Sequence, residues 1–360
     1  MDDPTLPGHR PTGRGALSNP APRFLQRATA PADDGWYRDE IAPSIATQVR
    51  PEPARSILTH NDSPDIPFEQ SINPYRGCEH GCIYCYARPS HAYMDLSPGI
   101  DFETKIFYKA DAARLLEEHL ASPSYVVKPI TIGANTDPYQ PVERDLRVTR
   151  SLLEVLERTR HPVSLISKGT MILRDLDLLS SLSRDGLVNV FISITTLDPE
   201  LKRTLEPRAA APSARLRVVR ELTAAGIPTG VFVAPIIPAI NDSELERIVA
   251  AAAAAGAFRA GYVLLRLPHE LKALFRQWLD EHLPERAEHV MSLIRGAREG
   301  RENDPRFGSR MRGSGPWAQL LHDRFALACK RHGLSMSRMR ELSCAHFTAP
   351  VRGGQLNLDL

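Results

Sequence analysis

The sequence has few cysteines and aromatic residues, little excess charge of either sign, and no long apolar run. Aromatic residues make up 6% of its 360 positions, and five positions are cysteine. The formal net charge of +2 gives no global argument for a nucleic-acid partner. No run approaches the ~20 apolar residues of a membrane-spanning helix. The hydrophobic share of 42% still allows a sizeable buried core.

The start of the chain also lacks the pattern of a secretion signal. Residues 1–4 are not followed by a basic and then an apolar region. We therefore expect a cytoplasmic protein. Proline, by contrast, is abundant, with thirty residues, many of them near the start. Because proline interrupts regular elements, residues 1–65 are predicted to form a largely irregular N-terminal extension.

Three of the five cysteines lie within eight residues. Cys78, Cys82 and Cys85 are spaced C-x3-C-x2-C, whereas Cys329 and Cys344 lie far downstream. Thiolates this close in one loop bind a metal centre or form a redox pair. A closed zinc site and a ferredoxin-type cluster normally take four protein ligands. Three ligands leave one iron of a [4Fe–4S] cluster open to a substrate or cofactor.

Two other interpretations of this loop stay open. His80 could supply a fourth ligand and complete a zinc site. A disulfide is a weaker alternative, since adjacent cysteines in a long chain without a secretion signal favour metal binding.

The cysteine loop, with the aromatic Tyr84 before its third cysteine, resembles the loop of the radical S-adenosylmethionine (SAM) superfamily. The resemblance implies that the three cysteines hold a [4Fe–4S] cluster and that SAM chelates the fourth iron through its amino and carboxylate groups. It also implies that the reduced cluster cleaves SAM to a 5′-deoxyadenosyl radical. A flavodoxin- or ferredoxin-type electron donor is then implied as a partner.

Strand-like and helix-like segments alternate over about 200 residues. This alternation indicates parallel strands with right-handed crossovers. The predicted fold class is α/β, a partial (β/α)6 TIM-type barrel over residues 66–267. An irregular extension precedes it, and a mainly helical extension over 268–360 follows it. A doubly wound open sheet is the alternative. The predicted strands are 68–75, 129–133, 163–167, 187–195, 229–234 and 261–267, and Thr149 is predicted to cap a helix.

In either fold, ligands gather at the carboxyl ends of the strands. Residues at those ends are similar to SAM contacts of the spore photoproduct lyase-like branch. The clearest similarity is the sequence motif Thr-Asp-Pro-Tyr-Gln-Pro at residues 136–141. In that branch Lys168 matches a basic contact, Ser193 a hydroxyl near the cofactor, and Ala234 a backbone contact near adenine. The cofactor contacts that this resemblance implies are Asn135, Thr136, Asp137, Lys168, Ser193, Arg208 and Ala234.

Each of these positions also has a simpler interpretation. Thr136 and Asp137 fit ordinary turn capping, and a lysine at a strand end is usually a solvated charge. Glu206 and Arg208, in the phrase Leu-Glu-Pro-Arg over 205–208, either grip the ribose and carboxylate of SAM or form a surface ion pair. The segment Gly-Arg-Gly-Ala at 13–16 either belongs to a disordered tail or packs over the barrel mouth.

One position departs from the lyase pattern. The lyases carry a hydrogen-donating cysteine in the turn after the second strand, where this chain has Asn135. We therefore do not assign the lesion-repair reaction of the lyases to this chain. Tyr84 and Tyr86 flank Cys85 and either relay a hydrogen atom or electron or simply pack there. Cys344 replaces the missing thiol only if the tail folds over the barrel mouth, and we expect a buried structural cysteine instead.

The C-terminal extension contains a basic stretch. Residues 295–340 hold eleven Lys/Arg against four acids. Their arginines either contact the phosphates of a nucleic-acid substrate or form a solvated face. The leading prediction is a radical SAM enzyme that abstracts a hydrogen atom from an unidentified substrate. The alternatives are a non-catalytic iron–sulfur protein for electron transfer or sensing, and a zinc-binding nucleic-acid module.

Overall fold

The computed structural model describes residues 13–24, 45–336 and 341–351. The predicted tail at 1–12 lies outside the described residues, as do Arg338 and Arg340 of the basic stretch.

A seven-stranded sheet forms the centre of the molecule. Its strand order is β10-β9-β8-β7-β6-β3-β2. Six neighbouring strands run parallel, and β2 pairs antiparallel at the edge. The strands of the described residues are β1 (Gln48–Pro51), β2 (Leu58–His60), β3 (Gln70–Ile72), β4 (Tyr75–Arg76), β5 (Lys105–Tyr108), β6 (Ile130–Ile132), β7 (Val163–Ser167), β8 (Val188–Ser193), β9 (Thr229–Ile236) and β10 (Arg259–Leu264).

Helices follow the parallel strands in alternation, which confirms the predicted α/β class. The central strand β8 is buried along its whole length, as expected where helices cover the outer face of a parallel barrel and side chains fill its interior. The α-helices are α1 (Ile100–Thr104), α2 (Ala112–Leu120), α3 (Glu143–Leu146), α4 (Val148–Arg158), α5 (Leu176–Arg184), α6 (Pro199–Leu205), α7 (Pro212–Ala224), α8 (Leu245–Ala254), α9 (Leu271–His282), α10 (Ala287–Gly296), α11 (Ser309–Arg312) and α12 (Gly315–Arg331). No helix in the described ranges is long and apolar enough to cross a bilayer.

The sheet curls until its two ends approach each other. A flat sheet of seven strands would hold its edge strands about 29 Å apart. Here Arg266, just after β10, has its guanidinium carbon 5.9 Å from the ring centre of Tyr86, which lies in the loop after β4. Arg310 likewise donates from Nε to Asp65 Oδ2 at 2.7 Å, beside β3. The curl is that of an open barrel, and it brings both ends of the sheet to one mouth.

The predicted strand over 68–75 is wrong as one element. It divides into β3, which joins the barrel, and β4, which pairs with β5 in a small sheet of order β1-β5-β4. Pro74 lies at the break, and it has no N–H to continue a ladder. The predicted irregular extension likewise contains β1 and β2.

The prediction that Thr149 caps α4 is also wrong. Thr149 lies inside the helix, and its hydroxyl donates to the carbonyl of Pro138 at 2.6 Å. The carboxylate of Glu143 accepts the first amides of the helix, from Thr149 at 3.0 Å and Arg150 at 3.3 Å. The same carboxylate accepts the hydroxyl of Tyr75. A buried acid from the preceding turn therefore caps α4 and fixes it to β4.

Replacing this acid should destabilise the fold. Glu143→Ala removes the partner of two amides and a buried hydroxyl, so we expect the free energy of unfolding in urea to fall by about 2–3 kcal/mol. Glu154→Ala on α4, where the carboxylate is about half exposed in a surface pair with Arg150, is the matched control and should change it by less than about 0.5 kcal/mol. Equal effects from the two variants would refute the capping role.

Candidate functional site

The cysteine loop lies between β4 and the first helices, at the carboxyl end of β3. Cys78 and Cys82 are buried, Cys85 is partly exposed, and all three are free thiols. Burial, followed by the charges of Asp137 and the other two cysteines, raises the pKa of the Cys78 thiol. Burial also raises the pKa of Cys82 to about 12. The three thiols are therefore close enough to interact electrostatically, and any metal they bind must displace their protons.

A buried ion pair braces this loop from below. Arg88 donates to the loop carbonyls of Cys82 at 2.9 Å and Gly81 at 3.1 Å. It also forms an ion pair of 2.5 Å with Glu103, and both side chains are 0% exposed. Since a buried charge is costly without its partner, Arg88 and Glu103 depend on each other. Together they hold the loop backbone in one conformation.

The N-terminal strap, residues 13–16, packs against the same brace. The amides of Gly15 and Ala16 donate to the Glu103 carboxylate at 2.9 and 2.8 Å. A β-carbon on Gly15 would lie 1.8 Å from the carbonyl oxygen of Gly81, which requires glycine at this approach. Of the two interpretations of this segment, packing against the site is therefore the one found.

The turn after β6 holds three of the predicted cofactor contacts. The amide N–H of Asn135 donates to the side-chain oxygen of Asn73 at 2.8 Å, while the Asn135 side chain makes no hydrogen bond to any described residue. The hydroxyl of Thr136 donates to the carbonyl of Tyr75 at 2.9 Å. Thr136 therefore ties the turn to β4, and Asn135 keeps a free amide.

Asp137 is the junction of three loops. Its carboxylate accepts the Ser167 hydroxyl and the Lys168 amide, both at 2.7 Å, and lies 3.3 Å from Nδ1 of His80. It also accepts the Tyr139 amide at 2.9 Å, an ordinary turn contact. Burial opposes the charge, but His80 and these donors hold the pKa of Asp137 at about 2. The carboxylate is thus ionised and occupied by protein donors.

The contact with Asp137 engages His80, the residue that the zinc interpretation needs as its fourth ligand. His80, the candidate fourth ligand, directs Nδ1 toward this carboxylate. Among the residues that the structure describes, no three His, Cys, Asp or Glu side chains converge as a single metal ion requires.

A second buried network lies beneath Cys82. The hydroxyl of Tyr84 contacts Glu206 and lies 3.0 Å from that of Thr195. Arg215 forms an ion pair with Glu206, whose side chain is 0% exposed. Burial would raise the pKa of Glu206, but Arg215 and Lys168 hold it at about 2. Glu206 is therefore enclosed by protein groups.

The alternative of a surface ion pair between Glu206 and Arg208 is not found. The guanidinium of Arg208 instead donates to the carboxylate of Glu79 at 3.2 Å. The backbone amide of Arg208 donates to the carbonyl of His80, also at 3.2 Å. Arg208 thus lies beside the cysteine loop, with its guanidinium partly exposed.

Two further residues that we predicted to contact the cofactor, Lys168 and Ser193, have polar groups without a hydrogen-bond partner among the described residues. The ammonium of Lys168 lies 5.8 Å from the ring centre of Tyr84 and makes no hydrogen bond or ion pair with any described residue. Burial alone would lower its pKa, but the charges of Cys82 and Glu206 raise the pKa of Lys168 above its usual value. The hydroxyl of Ser193, at the end of β8, also has no partner within the described residues.

The remaining predicted residues face the same mouth. The carbonyl of Ala234 accepts the Thr195 hydroxyl at 3.0 Å. Tyr86 is 49% exposed, and its hydroxyl donates to the carbonyl of Ala134, next to Asn135. Ala234 therefore lies beside Thr195 of the buried network, and Tyr86 joins the cysteine loop to the turn after β6.

Cys344 lies elsewhere. It is exposed, so the expectation of a buried structural cysteine is wrong. Three residues later, the ring of Phe347 packs 5.4 Å from His161 and 5.8 Å from Tyr125. These residues precede β7 and β6, so this part of the tail crosses the amino ends of the strands. Cys344 is therefore at the end of the barrel opposite the cysteine loop.

Sequence reasoning missed the charged residues that hold the site together. Arg88, Glu103 and Arg215 fall in no motif, and the two acids that the arginines bind lie 15 and 9 residues away along the chain. A charged residue at a largely apolar position is the only signal that the sequence offers for them.

Comparison with known proteins places this arrangement in a family. The model of the radical SAM superfamily matches residues 72–252, half of the chain. The chain belongs to the radical SAM superfamily. Uncharacterized proteins of Mycobacterium tuberculosis and Mycobacterium bovis are 33% identical over 82% of this chain and 82% of their own length. This membership supports an enzyme that uses SAM.

Solved structures show the fold of this radical SAM protein independently. Spore photoproduct lyase complexed with dinucleoside spore photoproduct superimposes with a TM-score of 0.57 at 16% identity, over 79% of this chain and 80% of that chain. A doubly substituted mutant of that lyase, with bound AdoMet and dinucleoside spore photoproduct, superimposes with a TM-score of 0.57 at 17% identity, over 79% of this chain and 80% of that chain. The partial barrel predicted from strand alternation is thereby confirmed.

The close approach of the strap to the cysteine loop gives a direct test. Gly15→Ala must push the strap away from Gly81, so we expect a loss of about 1–3 kcal/mol in unfolding free energy and lower iron content after anaerobic reconstitution. Gly296→Ala is the control, because a β-carbon there meets nothing within 4 Å. Unchanged stability and iron content in Gly15→Ala would contradict this packing.

The ionised carboxylate of Asp137 should contribute measurably to the free energy of unfolding. Its pKa falls from 3.8 to about 2, which corresponds to about 2 kcal/mol at neutral pH. Asp137→Asn should lose that amount in urea unfolding of the iron-free protein at pH 7. The difference should shrink as the pH falls from 4 toward 2, because the wild-type carboxyl then becomes protonated. The exposed Asp145→Asn is the control, and a difference that persists at pH 2 would contradict the assignment.

Proposed function

We propose that this radical SAM protein binds a [4Fe–4S] cluster through Cys78, Cys82 and Cys85 and uses it with SAM to abstract a hydrogen atom from its substrate. The observation that carries the proposal is the set of three free thiols at the barrel mouth, opposite the unpaired ammonium of Lys168. When bound, the cluster and SAM supply a 5′-deoxyadenosyl radical.

The donor set fits such a cluster. In a four-iron cube each thiolate binds a different iron, so the three sulfurs need not converge on one point. The lack of a convergent single-metal site among the described residues does not count against such a cluster. The loop backbone is fixed by Arg88, which leaves the thiol positions set before any iron arrives.

Free polar groups on successive strands support a SAM site beside the loop. Lys168 presents an ammonium that makes no direct hydrogen bond or ion pair with a described residue, which suits the carboxylate of SAM. The unpaired hydroxyl of Ser193 and amide of Asn135 supply further hydrogen-bond partners at neighbouring strand ends. Thr136 and Asp137 are occupied by protein contacts, so their proposed part is to position this edge.

The two tyrosines beside Cys85 are proposed for different tasks. Tyr84 is enclosed, with its hydroxyl held by Glu206, and this favours a positioning role. Tyr86 is 49% exposed at the mouth, and we propose it as the relay of a hydrogen atom or electron.

The substrate and the electron donor remain proposals. A flavodoxin- or ferredoxin-type protein is proposed as the reductant.

A nucleic-acid substrate finds less support in the basic stretch than its composition indicated, because several of its arginines pair with carboxylates. These pairs are Arg295 with Glu288, Arg306 with Asp304, Arg310 with Asp65, and Arg324 with Glu246.

Anaerobic reconstitution tests the proposal. Protein loaded with iron and sulfide, then reduced with dithionite in the presence of SAM, should release 5′-deoxyadenosine. Cys82→Ala should lose the [4Fe–4S] absorption and the product, because one iron loses its ligand. Cys344→Ser, on the opposite end of the barrel, is the matched control and should keep both.

Two results would count against the proposal. A full cluster spectrum in Cys82→Ala would contradict the ligand assignment. A wild-type cluster that leaves SAM intact with every reductant would instead favour the non-catalytic alternative, an iron–sulfur protein for electron transfer or sensing.

A further inference from the structure

One arginine at the barrel mouth lacks a partner. Arg266 follows β10, and its Nε is buried without a hydrogen-bond acceptor. Its one polar contact is a long one of 3.9 Å to the sulfur of Met311, and among the described residues no carboxylate pairs with it. Buried polar atoms are nearly always satisfied, and an arginine stays charged at any ordinary pH. An unpaired guanidinium at this depth is therefore costly in the free protein.

The surroundings of Arg266 add to the positive charge. Arg310 and Arg298 are near enough to act on it, and burial together with Arg310 lowers the pKa of Arg266. Arg310 is neutralised by Asp65. Arg298 donates to backbone carbonyls, among them that of Leu265. The three arginines thus outnumber the two acids that act on them, Asp65 and Asp304, and the cluster carries more positive than negative charge.

Arg266 also faces the site. Its guanidinium carbon lies 5.9 Å from the ring centre of Tyr86. Tyr86 in turn donates to Ala134, whose neighbour Asn135 has a free side-chain amide. A guanidinium fork, an exposed aromatic ring and an amide donor lie along one edge of the mouth. Guanidinium binds phosphate with two parallel hydrogen bonds, and the positive surplus favours a group with more than one negative charge.

We propose that Arg266, beside the exposed ring of Tyr86, forms a subsite for a phosphate group of the substrate. The inference rests on the proposed function, because it places the subsite at the mouth where that substrate reacts. It makes Arg266, which lies just after the last strand β10, a binding residue of the mouth. The phosphate supplies the counterion that the free protein lacks.

Binding measurements on the reconstituted protein test this subsite. The probes are a labelled twelve-residue oligothymidylate, followed by fluorescence anisotropy, and inorganic pyrophosphate, followed by calorimetry. Arg266→Gln should weaken binding by about tenfold or more, the usual effect of losing charge-assisted hydrogen bonds. Arg220→Gln removes an exposed charge from α7 on the outside of the barrel, and should change affinity by less than about twofold.

The two probes distinguish the sources of the phosphate. A loss for both indicates a nucleic acid, and a loss for pyrophosphate alone indicates a small phosphate ester; each supports the subsite. Arg266→Lys should keep part of the affinity, since it retains the charge but not the fork.

A stability measurement separates a binding role from a structural one. Because the unpaired charge is unfavourable in the free protein, the thermal midpoint of Arg266→Gln without ligand should equal or exceed that of the wild type. A lower midpoint would show that Arg266 supports the fold, and the proposal would fail.

Three other outcomes would overturn it. These are wild-type protein that binds neither probe, Arg266→Gln that binds as tightly as wild type, and a variant that loses affinity for SAM instead. Formation of 5′-deoxyadenosine without substrate should be unchanged in the control Arg220→Gln. Failure of that reaction in the wild type would therefore count against the proposed function and not against the subsite.

Discussion

The buried ion pair of Arg88 and Glu103 is the contact on which the site depends. Glu103 accepts the strap amides at 2.8 and 2.9 Å, while Arg88 reaches the carbonyls of the cysteine loop. One pair thus joins the N-terminal segment, the first helix and the candidate ligands. Charges this deep are stable only as a pair, so the arrangement is all-or-none. It gives three thiols a fixed frame at the mouth of an open barrel.

Asp137 plays a corresponding part on the other side of the loop. It joins the cysteine loop, the turn after β6 and the end of β7 through His80, Tyr139 and Ser167. Glu206 does the same beneath Cys82 through Tyr84 and Arg215. The carboxylates near the thiols are thus engaged by protein donors, whereas the Lys168 ammonium and the Arg266 guanidinium form no ion pair with any carboxylate of the described residues. The mouth therefore offers cations to a ligand, which suits the carboxylate of SAM and an anionic substrate.

Much of this could be predicted from local sequence. The alternation of strands and helices indicated six parallel strands, and the resemblance to the radical SAM superfamily favoured the barrel over a doubly wound open sheet. The positions at strand ends were also found, because parallel strands place their carboxyl ends together. Local signals failed where proline divided the first strand at Pro74, and where Glu143 capped α4 in place of Thr149.

The sequence by itself determined the C-x3-C-x2-C spacing, the alternation of strands and helices, and the resemblance to the family, since these depend on neighbours within one segment. Tertiary structure decided which polar residues are engaged and which are free. Asp137 and Lys168 looked equally suited to a cofactor, yet the carboxylate of one is enclosed by donors and the ammonium of the other has no acceptor within the described chain. Arg266 meets Tyr86 only because the sheet curls. Partners 30 to 180 residues apart leave no local pattern, so hydrogen bonding and burial must be read from the folded chain.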